Sequence, residues 1–264
     1  MRKHKVLELF SGSRSIGKVA EKMGMEVFSV DNQDFPNTNW VGDIRDWDYR
    51  LNEMNVGELK EEYVPDIIWA SPPCTGFSVA CIGRNWVKGE VFTPKTDSAK
   101  LGIEIMLKTM EIIKEYLKLN PNLIWYVENP RGKMRKAPQW DEMDHVRHTI
   151  SYCKYGDTRM KPTDIWTNDY DWTPKPLCKP FKYDYSVDPK GIVIDRHCHH
   201  DASPRGTQQG GTQKLKGNYE RSKLPPQLCE EVLSSAKDFV SHLWTAPQQM
   251  ESGDLFLGSI IKIK

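Results

Sequence analysis

The thiol of Cys74 directly follows two prolines, Pro72 and Pro73, which come just after the apolar run of residues 66–70. That run has the length and composition of a buried parallel strand, and the prolines stiffen the loop that leaves it. Because α/β sheets place their chemistry at the carboxyl ends of strands, Cys74 is a candidate nucleophile. A single cysteine is more commonly a buried structural thiol, so this interpretation depends on its neighbours.

The beginning of the chain has the pattern of a βαβ unit. An apolar run leads into Phe10 and Gly12, a helical stretch covers residues 16–22, and a second apolar run, residues 26–31, ends in Asp31. A glycine turn lets a ligand approach the backbone, and an acid at the end of the next strand is placed to bind a ribose. The sequence therefore predicts a site for a ribose-containing cofactor.

Two further carboxylates lie near the ends of predicted strands. Asp43 follows Gly42 and is suited to an adenine amino group, whereas Glu128 lies near the end of the apolar run of residues 123–130. Either could also be an exposed carboxylate without a functional role. The Asn-Pro pair after Glu128 makes a strand-terminating turn, which favours a functional carboxyl group at that position.

Three short motifs occur in a defined order, each at the end of a predicted strand. They are Phe10-Ser11-Gly12, then Pro72-Pro73-Cys74 with Phe77-Ser78, and finally Glu128-Asn129-Pro130. This set resembles the DNA (cytosine-5-)-methyltransferase family, and the compact chain is similar to its phage- and virus-encoded members. The resemblance covers about the first 170 residues well and the remainder loosely. It implies a Rossmann-like α/β fold, that of class I S-adenosylmethionine-dependent methyltransferases, with a mixed, mostly parallel sheet and a small loop-rich target-recognition region.

The resemblance also implies a reaction on a cytosine that has left double-stranded DNA. The Cys74 thiolate adds to C6 of the base, while Glu128 binds its Watson–Crick edge and supplies a proton to N3. C5 then takes the methyl group, the C5 proton leaves to a base and the thiolate is expelled. Where the family carries Gln-x-Arg-x-Arg, this chain offers Arg159 for the base oxygen and Lys161 for a phosphate.

For S-adenosyl-L-methionine, the resemblance implies a pocket at the first strand ends. Phe10, Gly12 and Pro72 would line it, Asp31 would bind the ribose hydroxyls and Asp43 the adenine. Arg14 departs from the family, which often has a second glycine about there. Its side chain would either cap the methionine carboxylate or point to solvent.

A second departure replaces the family's Gly-Asn motif, which lies beside the methyl donor, with Arg221 and Lys223. Two cations there could accept carboxy-S-adenosyl-L-methionine and lead to transfer of a carboxymethyl group. Alternatively they contact DNA phosphates or keep a loop solvated.

The six cysteines do not form a disulfide framework, since the chain is large and lacks a secretory signal. Cys81, Cys153 and Cys229 fall in or near predicted regular structure and should be buried thiols. Cys178, Cys198 and His200 flank a loop-rich stretch and could hold a structural zinc ion, with Cys153 as a fourth ligand. The alternative is a polar strand that contacts DNA.

The pattern along the chain predicts four parts: a catalytic domain over residues 1–167, a target-recognition region over 168–218, a returning helix within 219–246, and a tail over 247–264. A long amphipathic helix over residues 97–119 belongs to the first part. We expect it to direct apolar side chains to the core, namely Leu101, Ile105, Ile112, Ile113 and Tyr116. The returning helix should start at Pro225 or Pro226 and pack on the catalytic domain.

Composition limits the class of protein. The 264 residues carry a net charge of only +1, so no global field attracts nucleic acid, and basic residues cluster locally after Glu128. No segment is apolar enough to span a membrane, and no signal peptide is visible. We expect a cytoplasmic monomer of a bacterial or phage-infected cell.

The loop over residues 75–92 is the predicted element that closes on the flipped base. Arg84, Asn85 and Trp86 at its middle are candidates to fill the space that the base leaves, although Trp86 could instead pack in the core. Two other functions remain open, an RNA cytosine-5 methyltransferase and a non-catalytic DNA-binding relative. A binding module needs no combination of Cys74, Glu128 and Asp31, which argues against the second.

Overall fold

The structure is a computed structural model that describes residues 2–49, 53–56, 59–157, 159–178, 185–187, 193–195 and 217–245. Its centre is a seven-stranded mixed sheet with the strand order β3-β2-β1-β6-β7-β9-β8. These strands are β1 (Lys5–Leu9), β2 (Glu26–Asp31), β3 (Trp40–Val41), β6 (Ile67–Ala70), β7 (Ile124–Pro130), β8 (Val146–Ser151) and β9 (Pro162–Thr167). Two separate hairpins pair β4 (Glu53–Val56) with β5 (Leu59–Glu62), and β10 (Tyr185–Val187) with β11 (Val193–Asp195).

The first five strands of the sheet, from β3 to β7, are parallel, and β9 and β8 complete it as antiparallel strands. The chain moves outward in one direction from β1 to β2 and β3, and in the other direction from β6 to β7. The strand order therefore reverses between β1 and β6, and α/β folds bind ligands at the carboxyl ends of strands beside such a point. The predicted fold class is confirmed.

Alternate residues of the central strands contribute to two apolar cores, one on each face of the sheet. Val6 and Ile67 belong to one core, and Leu7 and Ile68 to the other. Helices α1 (Ser15–Lys22) and α5 (Pro226–Thr245) share the first core, so the returning helix does pack on the predicted catalytic part. The structure also contains two short helices, α2 (Ile82–Asn85) and α4 (Gly217–Ser222).

Helix α3 (Asp97–Leu119) has the predicted bounds and lies on the second core. Its first turn is capped by the hydroxyl of Thr96, which accepts a hydrogen bond from the Ala99 amide. Ile112, Ile113 and Tyr116 are buried as expected, but Leu101 is 40% exposed, so its assignment to the core was wrong. The neighbouring Gly102 occupies the buried face instead, and one residue corresponds to about 100° around a helix.

Cys81, Cys153 and Cys229 are buried, as predicted, and Cys74 is partly exposed. No helix in the described part of the chain combines the length and apolar character needed to cross a membrane.

Candidate active site

The Cys74 loop leaves β6 at the centre of the sheet. Its first residues form a short 3-10 helix, Cys74–Gly76, and the amides of Phe77 and Ser78 both donate to the carbonyl oxygen of Cys74, at 3.0 and 2.9 Å. Gly76 lies directly against the first turn of α3, since an added Cβ would be 2.9 Å from the carbonyl oxygen of Ser98. The nucleophile candidate is therefore held by backbone contacts and partly open to solvent.

Glu128 lies near the end of β7, the strand next to β6, and its side chain is only 7% exposed. The hydroxyl of Tyr152 donates to its Oε1 atom at 2.9 Å. The Nζ atom of Lys161 lies 3.8 Å from the same oxygen and donates to the Tyr152 hydroxyl at 3.2 Å. The acid is thus buried beside one phenol and one ammonium group, neither of which the sequence assigned to it.

The electrostatic surroundings of Cys74 include this acid. Burial raises the pKa of the Cys74 thiol above its usual value, the charge of Glu128 raises it further, and the charge of Lys161 opposes both. The thiol is consequently the stable form before substrate binds. Any event that neutralises Glu128 favours the thiolate, because it removes the negative charge that disfavours it.

Arg159 and Lys161 differ from their predicted tasks in what they contact. Arg159 forms an ion pair with Asp157 and donates to the carbonyl oxygens of Arg221 and Lys223, at 3.0 and 3.2 Å. Its guanidinium carbon lies 5.8 Å from the centre of the Tyr152 ring. Lys161, which the sequence assigned to a phosphate, lies beside Glu128 instead. The contact predicted between Arg159 and the base oxygen stays a prediction.

The first turn shows the features expected of a cofactor pocket. Phe10 and Gly12 both have positive φ angles, 59° and 47°. The carboxylate of Asp31 accepts hydrogen bonds from the Gly12 amide at 2.8 Å and from the Gln33 amide at 2.9 Å. The hydroxyl of Ser11 is buried and has no hydrogen-bond partner in the described chain. An unsatisfied buried hydroxyl in this turn fits a bound polar ligand.

Asp43 and Arg14 make contacts that the sequence did not indicate. The backbone amide and side chain of Arg45 bond Asp43, and this interaction lowers the pKa of its carboxyl group. Arg14 does not point to solvent, which corrects that expectation, whereas its contact with the methionine carboxylate stays a prediction. It is buried and donates to Ser29 at 3.0 Å and Glu21 at 2.6 Å.

Helix α4 and the residues after it lie over the first turn. A Cβ atom on Gly12 would be 3.7 Å from the Ser222 hydroxyl, and the rings of Phe35 and Tyr219 are 5.4 Å apart. The segment that carries Arg221 and Lys223 is therefore beside the candidate cofactor pocket. Lys223 is paired there with Glu220, at 2.7 and 2.8 Å from its two oxygens.

Two of the three residues predicted to fill the space of a flipped base, Asn85 and Trp86 in the middle of the 75–92 loop, are not placed to do so. Asn85 is buried and donates to the carbonyl oxygens of Thr75 and Gly76, both at 3.2 Å. Trp86 is also buried, its indole donates to the Gly76 carbonyl oxygen at 2.8 Å, and the alternative predicted for it, packing in the core, is confirmed. Both side chains stabilise the loop by hydrogen bonds to its backbone, and of the three candidates only Arg84 is exposed.

The predicted zinc site lies largely outside the described residues, since these include neither Cys198 nor His200. Cys178 is buried, and its amide donates to the Ser151 hydroxyl at 3.2 Å. Within the described ranges, no group of three His, Cys, Asp or Glu residues could hold a metal ion.

Comparison with known proteins identifies the family. No family model matches the chain. A "Probable DNA (cytosine-5)-methyltransferase" of Frog virus 3 (isolate Goorha) is 30% identical over 237 residues, which are 87% of this chain and 98% of the viral protein. The chain belongs to the DNA (cytosine-5)-methyltransferase family. It is an enzyme, and the resemblance stated from its motifs is confirmed.

Solved structures similar to this methyltransferase are distant. A Spodoptera frugiperda DNMT2 mutant is 18% identical with a TM-score of 0.38, and S. pombe Dnmt2 is 10% identical with a TM-score of 0.39. The similarity covers 66% and 62% of this chain but only about half of those chains, 53% and 48%. The Entamoeba histolytica methyltransferase EhMeth is 10% identical with a TM-score of 0.49, over 91% of this chain and 99% of that one.

Proposed function

We propose that this methyltransferase transfers a methyl group from S-adenosyl-L-methionine to C5 of cytosine in double-stranded DNA, with Cys74 as nucleophile and Glu128 as proton donor. The observation that carries the proposal is the arrangement of Cys74 and Glu128. They stand at the carboxyl ends of the neighbouring strands β6 and β7, and the charge of Glu128 acts on the thiol. A nucleophile and an acid that face one site are what addition to a pyrimidine ring requires.

The charge balance of the site gives a reason for the order of events. Cys74 attacks C6 as a thiolate, and negative charge then develops on the ring towards N3. Glu128 neutralises it by giving a proton to N3, which leaves C5 electron-rich. Because an ionised Glu128 disfavours the thiolate, a protonated Glu128 favours both the attack and the proton transfer. After the proton transfer the negative charge lies on the Glu128 carboxylate, and the ammonium group of Lys161 beside it compensates this charge.

The residues of the first turn fit S-adenosyl-L-methionine. Gly12 leaves room for a ligand beside the backbone, Ser11 offers an unsatisfied hydroxyl, and Asp31 lies at the end of β2, where a ribose would be bound. When bound, this cofactor supplies an electrophilic methyl group. The protein's part is to hold its adenosine end at β1 and β2 and to cover it with α4.

A methyl donor is favoured over carboxy-S-adenosyl-L-methionine by the ion pair at Lys223. Its ammonium group is already neutralised by Glu220, so it has little charge left for a further carboxylate. A carboxymethylated nucleoside is heavier than a methylated one. Incubation with each cofactor, followed by mass spectrometry of the nucleosides, therefore distinguishes the two products.

Covalent trapping tests the proposal. On duplex DNA that contains 5-fluorocytosine, and with S-adenosyl-L-methionine present, Cys74 adds to C6 and C5 takes the methyl group. C5 then carries fluorine instead of a proton, so the elimination that expels the thiolate is blocked and the wild type should form a stable adduct. Cys74→Ala should form none, whereas Cys229→Ala, which alters a buried cysteine on α5, should form it normally. Adducts on RNA but not on DNA would assign the enzyme to RNA. No adduct and no modified cytosine on either substrate would defeat the proposal and favour a non-catalytic DNA-binding relative.

A further inference from the structure

We propose that Tyr152 is a positioning residue of this reaction, whose hydroxyl, oriented by Lys161, fixes Oε1 of Glu128 so that Oε2 is available to the base. The inference deepens the proposed function and depends on it, because Tyr152 has this task only if Glu128 serves the base.

The direction of the hydrogen bonds at Tyr152 follows from the chemistry of its neighbours. An ammonium group can only donate, so the Tyr152 oxygen accepts from Lys161 at 3.2 Å. Its single proton is then available to Glu128 Oε1 at 2.9 Å. Burial, together with the charge of Glu128, raises the pKa of Tyr152 well above its usual value, so the hydroxyl keeps this proton.

Lys161 is held in an unusual backbone conformation to make this contact. Its φ angle is +27°, in the left-handed region that a lysine seldom adopts, and Pro162 follows it. The conformation is fixed by its neighbours, since the Met160 carbonyl accepts from the Tyr152 amide at 2.9 Å and the Lys161 carbonyl accepts from the Thr163 hydroxyl at 3.0 Å. Backbone strain of this kind is concentrated at functional sites.

The contact also restrains the carboxyl group. Tyr152 is completely buried, and the Lys161 ammonium lies 4.4 Å above its ring, so neither group can move far from Glu128. A carboxyl group that transfers a proton must hold one oxygen on the base throughout the reaction. Loss of the Tyr152 hydroxyl should therefore slow the chemical step and leave the binding of DNA and of cofactor unchanged.

A matched pair of variants tests this. Tyr152→Phe and Tyr155→Phe each remove one buried hydroxyl that donates to a glutamate, since Tyr155 donates to Glu231 at 3.0 Å, outside the site. With Tyr152→Phe, the single-turnover methylation rate on duplex DNA should fall about 10-fold to 100-fold, the range of a lost hydrogen bond to a charged group. The KM for DNA and the cofactor affinity should stay at the wild-type values. Tyr155→Phe should keep the wild-type rate.

A double-mutant comparison shows whether Tyr152 acts through Glu128. In a Glu128→Gln background, measured by the slow accumulation of adduct on 5-fluorocytosine DNA, Tyr152→Phe should change the rate less than about twofold. An equal loss in both backgrounds, an equal loss in Tyr155→Phe, or a wild-type rate in Tyr152→Phe would overturn the inference alone. A wild type that forms neither product nor adduct would overturn the proposed function as well.

Discussion

The side-chain amide of Asn129 donates a hydrogen bond of 2.9 Å to the carbonyl oxygen of Pro72. Asn129 is completely buried and follows Glu128 on β7, whereas Pro72 precedes Cys74 by two residues. The bond therefore ties the acid's strand directly to the nucleophile's loop. It fixes the separation of the two groups independently of any substrate.

Loss of this bond should reduce activity more than a comparable loss elsewhere. Asn120 provides the control, because its amide donates to the Pro65 carbonyl at 3.0 Å, just before β6 begins rather than after it ends. Asn129→Ala and Asn120→Ala should each lower the free energy of unfolding by about 1–3 kcal/mol. Only Asn129→Ala should lower the rate of adduct formation, by about tenfold if the bond contributes about 1.4 kcal/mol to the geometry of the attack. Urea unfolding and 5-fluorocytosine trapping measure the two effects, and equal rates in the two variants would contradict this assignment.

A second junction joins the same two elements and depends on Gly132. Ser78 pairs with Gly132, and the Lys133 amide donates to the Phe77 carbonyl at 2.7 Å. A Cβ atom on Gly132 would lie 2.3 Å from that carbonyl oxygen, a distance that backbone atoms cannot accept without moving. Gly132→Ala should displace the Cys74 loop and slow adduct formation at least about tenfold, since a small misplacement of reacting groups costs that much or more.

The control for this prediction is Gly83→Ala in the same loop. An added Cβ on Gly83 would meet no atom of the described residues within 4 Å, so this variant should keep the wild-type rate. A Gly132→Ala enzyme that traps DNA as fast as Gly83→Ala would show that the loop tolerates the displacement.

The cofactor turn gives a prediction about binding alone. Asp31 accepts one backbone hydrogen bond on each carboxylate oxygen, from Gly12 and from Gln33. In Asp31→Asn, the amide nitrogen would face one of these donors, so the turn should open and the Kd for S-adenosyl-L-methionine should rise by about tenfold or more. Titration calorimetry on this variant and on Asp34→Asn, which changes an exposed carboxylate three residues later, measures the difference. Equal affinities would remove Asp31 from the cofactor site.

The sequence predicted those residues of the site whose position is indicated by the pattern of the residues next to them in the chain. Cys74 follows the apolar strand β6 and Glu128 lies near the end of the apolar strand β7, and the carboxyl end of such a strand can be recognised from one stretch of sequence. Tyr152 was not predicted, because it reaches Glu128 from 24 residues away across the antiparallel strand β9. Nothing in its own neighbourhood distinguishes it from a core tyrosine.

The incorrect predictions concern side chains whose direction depends on tertiary contacts. Asn85 is a polar residue in a loop, and such residues are usually exposed, but here the backbone carbonyls of Thr75 and Gly76 accept its hydrogen bonds. Arg14 follows a glycine turn, where a basic side chain is usually exposed, yet it is buried with Ser29 and Glu21 as its hydrogen-bond partners. The type of a residue indicates which interactions its side chain can make, whereas the fold decides which neighbouring groups become its partners.

The buried carboxyl group of Glu8 gives a pH-dependent stability. Burial raises its pKa from 4.5 to about 7, although hydrogen bonds from Gly17 and Ile16 and the charge of Arg14 act in the opposite direction. A carboxyl group whose pKa is higher in the folded state opposes folding when it ionises. Its effect is absent below about pH 4.5 and grows until about pH 7, so this group lowers the free energy of unfolding as the pH rises through that window.

Replacement of Glu8 by glutamine should remove this dependence. The shift of the Glu8 pKa corresponds to an upper bound on the order of 3 kcal/mol at pH 8, at 1.36 kcal/mol per unit. Glu8→Gln should therefore gain stability relative to the wild type as the pH rises from 5 to 7, and the gain should stop above pH 7. Urea unfolding of both proteins across this range measures the difference, with Glu90→Gln as the control at an exposed position. A difference between Glu8→Gln and wild type that stays constant from pH 5 to 8 would show that Glu8 does not titrate there, since only a titrating group can make the difference depend on pH.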